Sequence, residues 1–550
     1  MKKSKLLSIL LASSLVLSVT ACGSSSTPEV SNTETTTTTE TTESAETSET
    51  SDKNEVIIAN NAELYDWDPI KGWGKNENPL MQSKLVVADD LGTIKLDLAS
   101  NYSANEDATV WTFELREDVK FNDGEDFTAD DVVFTIETAK EAASAVDFTI
   151  VNSVVALDDY TVEFTLNYQA STFIYQMATL AMLPAHAYSE DTYADNPIGT
   201  GPYQMVQWDK GQQIILEQNP YYYGEVSNIE RIVMVFMDAT TGLAAVQSGQ
   251  VDIAMADITT SDVSVDGYTL NQFVTTDNAG ISMPYIPAQV NSPIDVPVGN
   301  DVTSDLAIRQ ALSYAIDREY FSQYVLNGYG EPSYSITHSL LWENQDARFE
   351  DGQVDKAIEI LEEAGWVDSD NDGIREKEGL VATFEVLYPS GNTTREMIAN
   401  GFAQVGVDLG IDIVPTGKSW DEIFQLYNST PFVMWVGSVT PYTYFQNTTI
   451  ASAGNISANM GFYHNETVEE YMSAAMAAPT VEEANELWKL SQWDGTTGSS
   501  MIGDAPVVWL ANVSHMYFIR DGLDIGEQGL HGHGGSGMQI LSNIEEWVWK

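Results

Sequence analysis

The sequence predicts an α/β protein with mixed sheets, and three observations carry that expectation. Apolar residues alternate in paired short runs between about residues 100 and 170, as strands joined by hairpins do. After Gly199-Thr200-Gly201-Pro202, runs of strand period alternate with runs of helical period, the pattern that builds parallel or mixed sheets. The stretch from 54 to 550 is also long enough for two or three domains.

Ahead of that stretch, Lys2, Lys3 and Lys5 precede an apolar run from Leu6 to Val19 and the small-residue step Thr20-Ala21. This is the layout of a secretory signal over residues 1–21, too short for a comfortable membrane span. Cys22 is the only cysteine, so no intramolecular disulfide can form. Val19-Thr20-Ala21-Cys22 resembles the bacterial lipobox, in which cleavage before the cysteine exposes a residue that is then lipid-modified. A lipid anchor on Cys22 is therefore expected, and several acyl chains hold a protein where one does not. Residues 22–53 are mostly Ser, Thr and Glu and cannot bury enough apolar surface to order themselves, so they are expected to form a flexible tether. The formal net charge of the chain is −58, most of it on the part that folds. Such an acidic surface excludes nucleic acid and anionic lipid as partners, because phosphate binding depends on Lys and Arg.

The folded part opens with the apolar run Val56-Ile57-Ile58-Ala59, a strand leading to a loop with Tyr65, Trp67 and Pro69. Trp111, Phe113 and Leu115 alternate as a strand, and Asn122-Asp123-Gly124 supplies turn chemistry. Thr128 with Asp131 three residues on predicts a capping box that starts a helix through Val132, Val133 and Ile136. A hairpin follows, with Val154 to Leu157, a turn at Asp158-Asp159, and Val162, Phe164 and Leu166. Farther on, Ile232 to Phe236, a helix around Leu243 and Val246, a stop at Gly249 and Val251 to Met255 form one strand-helix-strand unit. Ala382, Phe384 and Val386 lead through the loop 389–394 into a helix with Ile398, Phe402 and Val405 before Gly406, returning at Ile411 and Ile413. Ile308, Ala311, Leu312, Ala315 and Ile316 share one helical face, as do Val354, Ala357, Ile358 and Leu361 before Gly365, and these faces belong to a core.

Catalytic motifs fail one after another. Gly417-Lys418-Ser419 lacks the earlier glycine of a phosphate loop, since position 412 is Asp. No His-Glu-x-x-His zinc helix, Gly-x-Ser-x-Gly elbow or cysteine pair occurs. With 82 acidic residues, paired carboxylates are guaranteed by chance and do not indicate a glycosidase. The reading is therefore of a protein that is not an enzyme and uses no cofactor. Asp368, Asp370, Asp372 and Gly373 resemble the opening of a calcium loop, but the twelfth position is Gly379 where a bidentate Glu is required, so a polar turn is the simpler expectation. His531 and His533 flank Gly532 and supply two imidazoles, part of a coordination shell for nickel, copper or zinc.

Four segments in order resemble the bacterial extracellular solute-binding proteins of the peptide- and nickel-binding class, family 5. They are Trp111-Thr-Phe-Glu-Leu-Arg116 through Gly124 with Phe127 to Asp131; Ile198 to Tyr203 with Asn219 to Tyr223; Leu243 to Asp252; and Arg309 to Arg318. The resemblance implies a two-lobed periplasmic-binding-protein-like fold (type II, cluster C) with mixed sheets, a hinge and an extra subdomain in the first lobe. On that frame the first lobe comprises 54–84, 197–285 and 512–550, the inserted subdomain 85–196 and the second lobe 286–511. The family implies a monomer that captures a small solute outside the cell and works with the permease and ATPase subunits of an ABC importer. Its location would be extracytoplasmic, at the cell surface or in the periplasm.

Ligand identity has to come from the cleft. Peptide-binding members take the peptide's amino terminus on an Asp after a strand like Phe432 to Val436, but here Trp435-Val-Gly-Ser-Val-Thr-Pro-Tyr442-Thr-Tyr444 has no carboxylate. A peptide or peptide-like solute is the first expectation, and nickel or a metal chelate held by His531 and His533 the second. A sensor that does not transport is a further alternative, and a cell-surface hydrolase is disfavoured by the missing motifs. Arg395, at the start of a helix beyond a strand end, is expected to clamp a ligand carboxylate. Trp435, Tyr442 and Tyr444 are expected to form an aromatic wall, with Tyr65 and Trp67 opposite on the first lobe.

Overall fold

Alternating apolar residues in Glu55–Asn60 place Val56 and Ile58 on a buried face, and this strand becomes the middle of a seven-stranded sheet. The computed structural model describes residues 53–550 apart from 61–62, 64–65, 75–78, 90–91, 143–147, 455–457 and 534–537. The sheet runs from Tyr268–Phe273 through His515–Arg520, Ile253–Ala256, Glu55–Asn60, Arg231–Phe236 and Gln213–Gln218 to Tyr203–Asp209. Arg231–Phe236 and Ile253–Ala256, the strands of the first predicted unit, both pair in parallel with Glu55–Asn60 and not with each other. Their helix, Ala239–Gln247, thus crosses over the first strand of the chain. Asp252 staples this layer: Oδ2 accepts the Ile57 N–H at 2.9 Å, and Oδ1 receives Arg520 Nε at 2.8 Å.

An antiparallel four-stranded sheet of Ala99–Ala104, Val110–Leu115, Thr161–Leu166 and Val151–Asp158 forms the inserted subdomain. Its apolar face, including Phe113 and Phe164, packs with Val132 and Ile136 of the helix Ala129–Glu141. Asp131 does what the sequence asks of it and more: Oδ2 accepts the Thr128 N–H at 2.9 Å, while Oδ1 accepts that of Ala185, also at 2.9 Å.

The second lobe is a six-stranded mixed sheet ordered Gly330–Pro332, Val507–Val513, Asn278–Ser282, Phe432–Val436, Thr383–Pro389, Asp412–Lys418. Both of its faces are covered. Ile281, Val386, Val433 and Leu510 meet the helices Leu306–Ala315, Val354–Glu363 and Thr393–Leu409, whereas Leu387, Met434 and Trp509 meet Glu466–Met476 and Val481–Gln492. Thr393–Leu409 continues past Gly406 and ends at Gly410, whose backbone is left-handed. Gly406 is tolerated inside the helix because it packs directly on Ile411 and Ile413, where a Cβ would sit 2.6 Å from the Ile411 carbonyl oxygen.

The two sheets are joined where two strands run on from one into the other. The chain leaves the first sheet at Phe273 and enters the second at Asn278, earlier than the expected boundary at 285, and it returns through Ser514 between Val513 and His515. A third segment runs beside these crossovers: the His531 N–H donates to Val274 O at 3.0 Å and Thr276 N–H donates to His531 O at 2.8 Å. Among the described residues no helix is long and apolar enough to cross a membrane.

Candidate functional site

Phe432–Val436 pairs in parallel with the end of Thr383–Pro389, and its residues line a cavity of about 260 Å³. Its walls come from Arg395 at the start of Thr393–Leu409, Trp420 and Phe424 on Trp420–Leu426, Trp435 within Phe432–Val436, Gly437 just after that strand, Asn447 on Pro441–Thr448, and His533. Gly437 approaches the crossover so closely that a Cβ would lie 1.6 Å from the Thr276 carbonyl oxygen, so any side chain there would push cavity and crossover apart. The cavity is thus built on the second lobe and seated against the joint.

Arg395 is only 8 % exposed, and its guanidinium lies over the rings of Trp435 (4.7 Å), Trp420 (5.2 Å) and Phe432 (5.7 Å). Its backbone N–H is taken by the helix-capping Asn392 Oδ1 at 2.9 Å, so the side chain, not the helix N-terminus, is what Arg395 offers. Among the described residues neither Nε nor Nη1 has a hydrogen-bond partner. Burial pushes the guanidinium down to about 10, with the Asp277 charge opposing. A buried cation held by aromatic faces with two nitrogens unpartnered is a costly arrangement for stability alone, and it suits an anionic guest.

Beside it, Asp277 on the crossover accepts from two imidazoles. His533 Nδ1 makes a short contact with Oδ1, and His515 Nε2 lies 3.3 Å from Oδ2. Burial alone would raise the Asp277 carboxyl, but the charge on His533 and the hydrogen bonds from His515 and His533 outweigh it and hold it below the usual carboxylate range. His515 Nδ1 lies 3.3 Å from His531 Nδ1, and burial, then the His515 charge, pushes His531 down to about 3. The array fixes the His533 ring through Nδ1 and links the cavity wall to the crossovers.

Sequence comparison gives this arrangement a family. The profile of the bacterial extracellular solute-binding proteins, family 5 Middle, matches residues 93–462. The chain belongs to family 5. Protein XP55 of Streptomyces lividans is 28 % identical over 490 residues, covering 85 % of each chain. Among solved structures, NikZ of Campylobacter jejuni in complex with Ni(L-His) superposes with a TM-score of 0.77 at 24 % identity, covering 90 % of this chain and 99 % of that one. AppA of Bacillus subtilis in complex with a nonapeptide gives 0.70 at 21 % identity, covering 91 % and 100 %. These neighbours establish the two-lobed fold.

In this family 5 protein the residues singled out from sequence separate into distinct places. Arg395, Trp435 and His533 come together in the cavity. Tyr444 is buried, with its hydroxyl 2.9 Å from Ser491 Oγ and 2.7 Å from Ser499 Oγ, and lines a smaller cavity of about 50 Å³ next door. Tyr442 stacks on Phe445 at 6.1 Å. Trp67 is a correction: it is fully buried in the core of the first lobe, edge-on to Trp73 and Trp208, where an apolar surround claimed the ring. His531 is also buried, stacked on Phe273 at 4.9 Å behind the cavity. Tyr65 and Cys22 lie outside the described residues.

The acidic turn differs from the calcium pattern: Asp368, Asp370 and Glu376 converge, while Asp372 Oδ1 accepts the Ile374 N–H at 2.8 Å. Asp368 and Asp370 are exposed and accept backbone N–H groups of the same turn, which accounts for them as turn formers. Asp277, His515, Trp420 and Asn447 were missed from sequence. Only Trp420 carried a signal, as an aromatic at the start of a helix that follows a strand.

Proposed function

We propose that this protein captures a peptide or peptide-like solute between its lobes, with a ligand carboxylate on Arg395, and hands it to the permease of an ABC importer. The observation that carries the reading is the buried Arg395 guanidinium, lodged in a cavity with two nitrogens unpartnered among the described residues. Closure about the crossovers is the step that excludes water, and the guest selects the closed state by binding it better. No bond is made or broken, in keeping with relatives that are substrate-binding proteins. A lipid on Cys22 keeps the receptor at the membrane outside the cytoplasm, and the stretch between that residue and the folded lobes acts as its tether.

A second reading, nickel or a metal chelate, is favoured by one observation: His533 is fixed through Nδ1 by Asp277 and lines the same cavity as Arg395. The histidine of a Ni(L-His) complex such as NikZ holds also has a carboxylate, so both readings place an anion on the guanidinium.

Native mass spectrometry of protein purified from its own host tests the proposal. An anionic solute on the wild type, absent from Arg395→Met, is the expected result, and bound nickel would move the assignment to the second reading. A neutral or cationic solute retained equally by both proteins would overturn the role of Arg395.

A further inference from the structure

Two positions beyond Arg395 in Thr393–Leu409, the half-buried Met397 belongs to the packing of both lobes. It packs against the second-lobe core that holds Ile281, Val386 and Leu510, and also against the first-lobe layer of Ala245, Val246, Met516 and Phe518. Tyr329 of the second lobe packs against the same first-lobe layer, and its hydroxyl donates to Ser261 O at 3.3 Å. Two residues earlier, Asn327 Nδ2 donates to Asp262 Oδ1 at 3.1 Å. The lobes therefore meet here through an apolar contact with polar bonds beside it, and a thioether is part of the apolar contact.

A second methionine lies where the subdomain meets the second lobe, and its surroundings differ. There the Thr172 hydroxyl donates to Met476 Sδ at 3.3 Å, so an oxygen added to that sulfur would accept a hydrogen bond already on offer. Among the described residues no hydrogen bond reaches Met397 Sδ, and both clusters it joins are made of apolar side chains. An oxygen added to Met397 would have to be buried without a donor or brought out to water, and the first is unfavourable.

We propose that Met397 is a site of reversible oxidation by hydrogen peroxide, and that its sulfoxide loosens the hold of the second lobe on the first. In the step the thioether sulfur attacks one peroxide oxygen and the O–O bond breaks. The sulfur gives up two electrons to form the S–O bond, the proton on the transferred oxygen passes to the departing hydroxide, and water leaves. The product is polar where the thioether was apolar, so it favours the arrangement in which the lobes stand apart and water reaches the new oxygen. A methionine sulfoxide reductase restores the thioether and with it the contact. The inference rests on closure about the crossovers and not on what the cavity holds.

Hydrogen peroxide on the folded chain tests this, with peptide mass spectrometry to locate each added oxygen and small-angle scattering to measure the radius of gyration. Met397 is expected to take up oxygen at least about tenfold faster than the fully buried Met283 and Met472, since reaction follows exposure. The oxidised protein is expected to scatter as a larger particle and to return to its first size after treatment with a methionine sulfoxide reductase. Met397→Leu keeps the apolar volume but has no sulfur, and is expected to hold its size in peroxide. Met397→Gln, polar at the same place, is expected to be expanded without peroxide. Uptake at Met397 no faster than at the buried methionines, an unchanged radius once Met397 is oxidised, a Met397→Gln of wild-type size, or equal expansion of Met397→Leu would overturn the proposal. Gly92→Trp separates that failure from failure of the closure reading, because its ring would wedge the subdomain away from Val439 and Trp342. If Gly92→Trp is expanded and the oxidised wild type is not, only the role of Met397 falls; if neither is, closure about the crossovers falls with it.

Discussion

Burial of the Arg395 guanidinium is expected to cost the ligand-free protein stability. Its folded value is depressed toward about 10, so the charged side chain is penalised at neutral pH, and the penalty is relieved only as pH rises through that value toward the ordinary guanidinium range. Arg395→Met should therefore melt at a higher temperature than wild type without ligand, by the equivalent of about 1 kcal/mol or more, and lose the stabilisation that ligand gives. A lower melting temperature for the ligand-free variant would mean the stacking on Trp435, Trp420 and Phe432 outweighs the burial. Sequence singled this residue out as a cation at the start of a helix beyond a strand end, and the structure buries it in a cavity wall. Asp277 was not singled out, since Thr-Thr-Asp-Asn reads as an ordinary turn and its imidazole partners lie more than two hundred residues away. Trp67 misled because an indole near a loop looks the same in sequence whether core or cleft receives it. Arg309 and Arg318, by contrast, belong to a segment that carried the family resemblance and serve as scaffold. Arg309 donates to Thr303 O at 2.8 Å, and the fully buried Arg318 donates to Trp509 O at 2.9 Å and pairs with Asp351.

Among the elements, the hairpin of Val86–Ala88 and Ile94–Leu96 has the sharpest consequence. Gly92 beside its turn has φ +79°, and a Cβ there would lie 2.7 Å from Val439 O and 2.8 Å from the Trp342 ring of the second lobe. Tyr175 meets the same Trp342 edge-on at 6.4 Å, Thr172 Oγ1 reaches Met476 Sδ at 3.3 Å and Val481 packs against the subdomain core, so among the described residues the subdomain touches the second lobe at several places. Gly92→Ala is expected to raise ligand Kd by about tenfold, roughly 1.4 kcal/mol, with no change in any residue of the cavity. Calorimetry that returns the wild-type Kd would show that this contact does not limit closure. Local elements were largely readable, because hairpins, caps and helical faces announce themselves within a few residues. Their assembly was less so: the strand-helix-strand units said nothing of Glu55–Asn60 slipping between Arg231–Phe236 and Ile253–Ala256, a pairing across nearly two hundred residues.

For the molecule as a whole, charge sets the expectation. A chain with formal charge −58 repels itself, and screening shortens the reach of that repulsion. The melting temperature is expected to climb as NaCl rises from about 0.01 to about 0.5 M, where the Debye length falls from about 30 Å to only a few Å. A flat or falling curve would place the acidic groups too far apart to matter. The two-lobed frame came from the resemblance rather than from periodicity, since sheet order joins strands far apart in sequence. The crossovers also define which ends of the chain ride on which lobe. Lys550 is tied to the first lobe through Gly522 O at 2.7 Å and Asp524 at 2.8 Å, whereas Tyr324, 73 % exposed, sits on the second. In a chain begun after Cys22, a dye attached through Tyr324→Cys would occupy the sole thiol, and a fluorescent protein fused behind Lys550 would stand on the other side of the joint. Energy transfer between the two would turn the distance across the crossovers into a colour ratio, an optical gauge of occupancy that works whatever molecule this receptor carries.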